Sequence, residues 1–571
     1  MSLILGIHDG THNAGACLIS DGQIISACDE ERFTRVKNSG GFPAQSMEAC
    51  LDLAGISISA VTGLAFAGLV NPNPMLRIFR EKQGSWKLDQ GKFYQPKRSL
   101  SSHFSDWVQF KSPFPYLQSS KAVYAPLLRR ILRKQLQKKW TTQAELQLFD
   151  HHHCHASSAY FGSGFTEAFV LIADGLGDGL CLSAWRGHGQ SLWKIGEMPF
   201  PSSYGLLYSS ITGFLGFRPF RHEGKLTGLS ALGDPSKIPL SFPFTGEFPN
   251  RKTTLKYPLH HWLKNLEGYS KEDISAWLQE GIEAEILGIL KYYMPKIGCE
   301  NLALAGGLFA NVRLNQRIAQ DIQPKRIFIF PNMGDAGLSV GAGYLMAHAQ
   351  GDKPKSFDSA FLGVDITESD VLSTFSDVND ALPQLDLAEK AATVLASGGI
   401  IARCAGKMEY GPRALGNRSI LAPASDPLIT QLLNQKLGRS DFMPFAPIIR
   451  AECVEQYLKP QDNSIDAGRW MTINFQAKPA LKALCPAIVH VDGSLRPQIV
   501  YRRKQPDLWM ILMKYQQKTG LPVLINTSFN IHEEPIVATA ADAIQTFQEA
   551  DLDGMILGQY WIKKRNIRQE A

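Results

Sequence analysis

The sequence predicts an α/β protein of two domains, the first built from a duplicated unit. Three observations lead there. The segments 3–28 and 168–195 both read as three short apolar runs separated by Gly-containing turns. Helical periodicity follows later in each half, at about 271–293 and again from about 386. The chain has 571 residues, 44% hydrophobic and 20% charged, enough to bury more than one core and incompatible with a disordered or fibrous protein.

In the first repeat, the run from Leu3 meets Asp9-Gly10, the next meets Asp21-Gly22, and a third strand follows. In the second, 169–173 leads into Asp174-Gly175 and 180–185 into a Gly-rich turn. Asp-Gly between apolar runs is a hairpin signal. Two such units are the layout of the actin/hexokinase/Hsp70-like ATP-binding fold, with a ligand between the halves and turn amides for phosphates, here at Gly175 and Gly177. Ser270 and Asp273 form a capping box for the helix from about Lys271 toward Tyr293, which precedes the strand 302–305 and the turn Gly306-Gly307. The first domain spans 1–362. Beyond a polar stretch at 350–358, a helix beginning near Asp386 places Leu387, Ala391, Val394 and Leu395 on one face and stops at Gly398-Gly399, opening a second α/β domain over 363–571.

The net charge of +6 is unevenly placed. Residues 71–140 hold fifteen Lys and Arg against three acids, a local +12, and the other 501 residues sum to −6. This stretch is rich in proline and ends in a segment with Leu127, Leu128, Ile131, Leu132 and Leu136 at helical spacing. It reads as a solvated insertion or as an anion- or RNA-facing patch. Nine scattered cysteines, none in C-x-x-C, fit free thiols in a reducing cytoplasm and exclude a cysteine zinc finger. No signal peptide or run of about 18 apolar residues is present, so a cytoplasmic protein without a membrane span is expected.

The densest chemistry lies in Asp150-His151-His152-His153-Cys154-His155. His151 and His155 stand four apart, so a helix presents both on one face, within reach of one metal ion. Asp174 and Asp335, each on a turn after an apolar run, are the natural oxygen ligands. Two histidines with two carboxylates suit iron, manganese or zinc better than calcium. Lys225 in "HEGKLTG", Gly306, Gly307 and Asn311 in "GGLFANVRLN", and Gly334 in "GDAGLSVGAG" are candidate nucleotide contacts, since turns entering helices present amides to anions. In the C-terminal domain Arg413, Arg418, Arg439 and Arg496 sit in Gly/Pro-rich turns, and a buried strand ends in Asn526, Ser528 and Asn530. Arginines with Ser and Asn make a pocket for a phosphate or carboxylate.

Taken in order, "HNAGACLISDGQIISACDEERFTRVK", "HHHCHASSAYF", "ADGLGDG", "EGKLTGLSALG", "GGLFANVRLN", "GDAGLSVGAG", "EYGPRALGNRSI", "FMPFAP", "HVDGSLRPQ" and "NTSFNIHEEPIV" resemble the NodU/CmcH family of O-carbamoyltransferases over nearly the whole chain. The match is poorest at 71–140. The resemblance implies a TsaD-like N-terminal domain and a YrdC/TsaC-like C-terminal domain. The latter would bind carbamoyl phosphate, through residues among Arg413, Arg418, Arg439, Arg496, Asn526, Ser528 and Asn530, and release its carbamoyl unit as carbamate. Carbamate and ATP, the latter with Mg2+, would give carbamoyl-adenylate and pyrophosphate. The N-terminal domain would hold the adenylate at a divalent metal, Fe2+ ahead of Mn2+ or Zn2+, bound by His151, His155, Asp174 and Asp335. The carbamoyl group would pass to a hydroxyl of a small-molecule natural product or sugar. His12, in the first hairpin, is the candidate general base.

The alternative is threonylcarbamoyl transfer to tRNA, for which the basic insertion would supply contacts. Against it, the C-terminal motifs are those of the small-molecule family. A hydrogenase-maturation carbamoyltransferase is disfavoured by the missing C-x-x-C pairs, and a non-catalytic scaffold by the full set of four metal ligands. The sequence leaves a homodimer open.

Overall fold

The structure, a computed structural model, describes residues 2–69, 139–256, 259–374, 384–438 and 444–563, with short stretches between 87 and 137. Most of the basic insertion, and Arg439, lie outside the described residues. At the end of the insertion, residues 129–134 are helical, and Leu132 and Leu136 are buried, consistent with the apolar face expected there. The chain divides into two compact units, one of residues 1–31 and 38–358, the other of 32–37 and 359–571.

The first unit contains the duplication directly. One sheet is formed by β1 (Leu3–His8), β2 (Gly15–Ser20), β3 (Gln23–Asp29), β4 (Gly63–Ala67) and β5 (Glu145–Phe149), in the order β3-β2-β1-β4-β5. The other is formed by β6 (Glu167–Gly177), β7 (Leu180–His188), β8 (Ser191–Pro199), β9 (Asn301–Ala305) and β10 (Arg326–Ile329), in the order β8-β7-β6-β9-β10. In each, three antiparallel strands come first and two parallel strands extend the far edge. The central strands β1, β4 and β9 are buried almost throughout and apolar apart from His8 and Asn301 at strand ends, as strands covered on both faces should be.

The second hairpin turns later than expected. Asp174-Gly175 stays inside β6, where the register with β7 is interrupted between Ala173 and Gly177, and the reversal falls at Asp178-Gly179. Both of those residues have positive φ (49° and 89°), as do Asp21 and Gly22 in the first repeat (47° and 75°). Paired positive φ is what the tight hairpin turn requires, and the "ADGLGDG" run offered two Asp-Gly steps of which one could take it. Asp174 is thereby a bulged strand residue rather than the turn tip.

Three helices matter for the site. α1 (His151–Ser163) starts at Asp150, whose carboxylate accepts the His153 amide at 3.1 Å, and stops at Gly164 in the left-handed conformation. α2 (Lys271–Ile297) begins at Ser270, whose hydroxyl accepts the Asp273 amide, and runs one turn past Tyr293. α3 (Leu338–Ala349) packs on α1, and a Cβ on Gly341 would lie 1.9 Å from the Cys154 carbonyl oxygen, so the two backbones touch there. Part of the glycine richness of "GDAGLSVGAG" is therefore explained by helix packing.

The second unit is a mixed sheet of β11 (Ile401–Cys404), β12 (Arg418–Pro423), β13 (Ala446–Arg450), β14 (Gln498–Val500), β15 (Val523–Ser528), β16 (Gly554–Leu557) and β17 (Tyr560–Lys563). Its order is β14-β13-β15-β12-β11-β16-β17. α4 (Gln384–Ala396), where the sequence places a helix, packs with α5 (Pro506–Thr519) over a core that includes Leu387, Ala391, Leu395, Leu508, Ile511 and Tyr515. Segment 32–37 belongs to this unit: Arg32 donates to the Gly411 carbonyl, and Arg35 to those of Pro535 and Ile536. All nine cysteines are buried, and none forms a disulfide. No described helix is long and apolar enough to cross a membrane.

Candidate metal centre and anion site

The first turn of α1 delivers His151 and His155 to one side, and their rings meet edge to face with centroids 4.9 Å apart. Asp174 comes from the bulge of β6 and Asp335 from the short 3-10 turn leading into α3. One ligand atom from each of the four lies within 4.8 Å of the other three. His151 Nε2 is 3.2 Å from Asp174 Oδ2 and 3.7 Å from Asp335 Oδ1, and His155 Nε2 is 3.7 Å from the same Asp335 oxygen. The latter two separations are too long for hydrogen bonds, and neither nitrogen of the buried His155 ring has a hydrogen-bond partner.

The surroundings fix each ligand. Gly307 donates its amide to Asp174 Oδ1 at 3.0 Å, leaving Oδ2 toward the histidines. Asp178 Oδ2 accepts the His151 and Leu69 amides and so ties the hairpin tip to the start of α1. A Cβ on Gly177 would stand 2.1 Å from His151 Cδ2; only glycine lets the ring approach the strand so closely. Burial works against a proton on His151, but Asp335 and Asp174 outweigh it and raise the pKa to about 9. Asp335 is held well below the carboxylate range, with His12 and His151 overcoming the burial that opposes ionisation. Buried nitrogens without partners beside two ionised carboxylates fit a divalent cation, and an N2O2 donor set suits iron, manganese or zinc.

The other two histidines of the run have structural work. His152, pushed down to about 3 by burial, contacts Ser183 Oγ (2.9 Å) and the Leu180 carbonyl (3.1 Å), and His153 stacks on Trp185. His12 Nδ1 faces Asp335 Oδ2 at 3.7 Å with its side chain 39% exposed. His8, absent from the expected site, lies 3.9 Å from the same oxygen, and burial pushes it down to about 4. Its position at the end of an apolar run, ahead of Asp9-Gly10, was the available signal.

The expected nucleotide residues divide. Gly306 donates to the Met333 carbonyl, Gly177 lies against His151, and Gly307 donates to Asp174. Asn311 caps the following helix and donates to Gln279, while Lys225 Nζ lies 5.8 Å from the Phe217 ring centre. Gly175 and Gly334 are the open ones: a Cβ would meet nothing within 3.7 Å at the first and nothing within 4 Å at the second.

In the second unit the loop 411–418 is braced by Glu409, whose Oε1 accepts the amides of Leu415, Asn417 and Arg418. This buried carboxylate was not anticipated. Asn526 donates to the Ala414 carbonyl and to Gln498, which holds the Leu415 carbonyl. Arg413 and Arg496 are brought together: burial lowers Arg413 to about 10, and burial with Arg413 as neighbour lowers Arg496 well below the arginine range. No carboxylate offsets either shift, and each Nε is sealed without a partner, as is Asn526 Oδ1. Arg418 instead spends its guanidinium on the carbonyls of Gly406, Asn417 and Val364. Asn530 holds the carbonyls of Ile531 and Glu534, and Ser528 pairs with Ser419 across the sheet.

Residues 3–344 match the family model described as carbamoyltransferase N-terminus, and residues 392–564 the one described as carbamoyltransferase C-terminus. The chain belongs to the carbamoyltransferase family. It is thus a transferase enzyme, and carbamoyl transfer is its chemistry. Among relatives, an uncharacterised protein of Synechocystis is 32% identical over 99% of this chain and 97% of its own length. The nodulation protein NolNO of Sinorhizobium fredii is 30% identical over 98% of this chain and 80% of its own. Among solved structures, HypF of T. kodakarensis aligns with 62% of this chain and 49% of its own at 12% identity (TM-score 0.36), and a ROK hexokinase of Thermus thermophilus with 61% and 99% at 14% (TM-score 0.29).

Proposed function

We propose that this carbamoyltransferase makes carbamoyl-adenylate from carbamoyl phosphate and ATP and passes the carbamoyl group to a hydroxyl of a small molecule. The observation that carries the reading is the buried His155 ring, without a hydrogen bond at either nitrogen, facing Asp335 beside His151 and Asp174. These four residues would hold the divalent cation, Fe2+ or a neighbour such as Mn2+. When bound, it stabilises negative charge on phosphate oxygens. Gly175 and Gly334 leave room for a nucleotide beside the ligands.

The second unit, which we read as YrdC/TsaC-like, takes carbamoyl phosphate. Arg413 and Arg496 offer donors to the phosphate, and the unpartnered Asn526 Oδ1 offers an acceptor to the carbamoyl NH2. Hydrolysis with one water yields carbamate and phosphate; the carbamate oxygen then attacks the α-phosphorus of ATP and pyrophosphate leaves. His12, whose Nδ1 faces Asp335 at 3.7 Å, removes the acceptor proton as the hydroxyl attacks the carbamoyl carbon and AMP departs. The match of residues 392–564 to the carbamoyltransferase C-terminus model, together with the C-terminal motifs, favours this over an RNA acceptor. Cysteines that form no disulfide fit a cytoplasmic setting.

The test is incubation with carbamoyl phosphate, ATP and Mg2+ plus Fe2+ or Mn2+, measuring pyrophosphate and carbamoyl-adenylate. Formation of neither with any divalent metal would overturn the reading.

A further inference from the structure

Phe220 is an exposed aromatic residue held in a conformation that bulky side chains avoid. Its φ is +62° and it is 54% exposed. Left-handed backbone at a bulky residue persists only where the surroundings enforce it, and such positions concentrate at functional sites. Here the surroundings are visible: the Phe220 amide donates to Glu223 Oε1, and its carbonyl accepts from Asn38 Nδ2 at 3.2 Å. Glu223 is itself held by the Ser209 hydroxyl at 2.7 Å. The ring therefore projects from a pinned backbone. It stands beside His12, with centroids 6.2 Å apart and planes inclined by 25°, and His12 faces the metal ligand Asp335.

We propose that Phe220 is the platform on which the acceptor docks, and that the acceptor carries its hydroxyl on a ring with an apolar face, as a pyranoside does. The inference rests on the carbamoyl-transfer reading of this site. A saturated ring laid against an aromatic face gains contact area through its C–H groups, while its rim hydroxyls stay free to reach a neighbouring base. An acyclic polyol has the same hydroxyls but no flat apolar face to present. Phe220 thus selects the acceptor, while His12 takes its proton.

The experiment uses the full chain with carbamoyl phosphate, ATP, Mg2+ and Mn2+, and compares methyl glucoside with sorbitol as probe acceptors. Pyrophosphate release is measured first, before any acceptor is added; its absence in the wild type disposes of the carbamoyl-transfer reading, not of the platform alone. Given release, the wild type is expected to carbamoylate the glucoside with a KM about tenfold below that for sorbitol. Phe220→Ala should abolish that preference by raising the glucoside KM about tenfold, with the loss in KM rather than kcat, and Phe220→Tyr should restore it. Equal use of both probes, transfer to neither, or an unaltered glucoside KM in Phe220→Ala overturns the proposal.

Discussion

Asp335 addresses two sets of histidines with its two oxygens: Oδ1 lies 3.7 Å from His155 Nε2, and Oδ2 lies 3.7 Å from His12 Nδ1. One carboxylate therefore links the candidate metal ligands to the residue proposed for proton transfer. A change at either end should be felt at the other.

His155→Ala should remove the cation. Metal analysis after loading with Mn2+ and desalting is expected to find about one ion per wild-type chain and under a tenth of that in the variant, because three ligands remain around a buried void. Carbamoyl transfer should fall at least 100-fold, and carbamoyl phosphate hydrolysis by far less. Equal loss of both would contradict the division of labour between the units.

Gly177→Ala tests the close approach of strand and ligand. The new Cβ would lie 2.1 Å from the His151 ring, so the ring must move. We expect a loss of about 1–3 kcal/mol in stability and Mn2+ affinity lower by roughly 10- to 100-fold, as for disturbed ligand orientation. Calorimetric titration with Mn2+ measures it.

In the second unit, a ligand at about 100 times its Kd stabilises the protein by roughly 2.7 kcal/mol. Thermal melts with carbamoyl phosphate should show that gain in the wild type. Arg496→Met should melt higher than the wild type without ligand, because an unpaired guanidinium has left a desolvated site. It should show less than half of the ligand-induced shift.

Glu389 on α4 is ion-paired with Lys514 (2.8 Å) and Lys518 (2.5 Å) on α5, and hydrogen bonds from these two lysines lower its pKa to about 2. A carboxyl whose folded pKa is depressed contributes stability above its unfolded value and loses it as pH falls through the folded one. The stability difference between wild type and Glu389→Gln should thus be constant above about pH 5 and shrink between roughly 4.5 and 2. Because the pair is exposed, 1 M NaCl should reduce the difference at pH 7. Urea midpoints across that range provide the check.

Local pattern revealed a good part of the fold. The hairpin repeat, the Ser270 cap and the helix before Gly398 follow from contacts within a few residues, and each is seen. The turn of the second hairpin was not decidable, because "ADGLGDG" satisfies the turn rule twice and the bulge that chooses between them arises from pairing with β7. Similarly, four histidines in five residues mark a candidate site, but which two face Asp174 and Asp335 depends on the hairpin packed against α1: Ser183 and Leu180 claim His152, and Trp185 claims His153. Segment 32–37 joins the second unit through guanidinium bonds to carbonyls some 380 to 500 positions away, which no local pattern encodes.

By itself the sequence determined the α/β class, the duplication, the family and the residue types able to hold a cation or an anion, since these depend on periodicity, turn chemistry and motif order. Only the tertiary structure decided how those residues are used. It spent Arg418, Asn311 and several glycines on carbonyls, caps and backbone contacts, left Arg413 Nε, Arg496 Nε and both His155 ring nitrogens without hydrogen-bond partners, and set Phe220 beside His12. The reason is physical: a side chain's chemistry is written in its identity, but whether its polar atoms are satisfied depends on which distant backbone groups folding brings within about 3 Å.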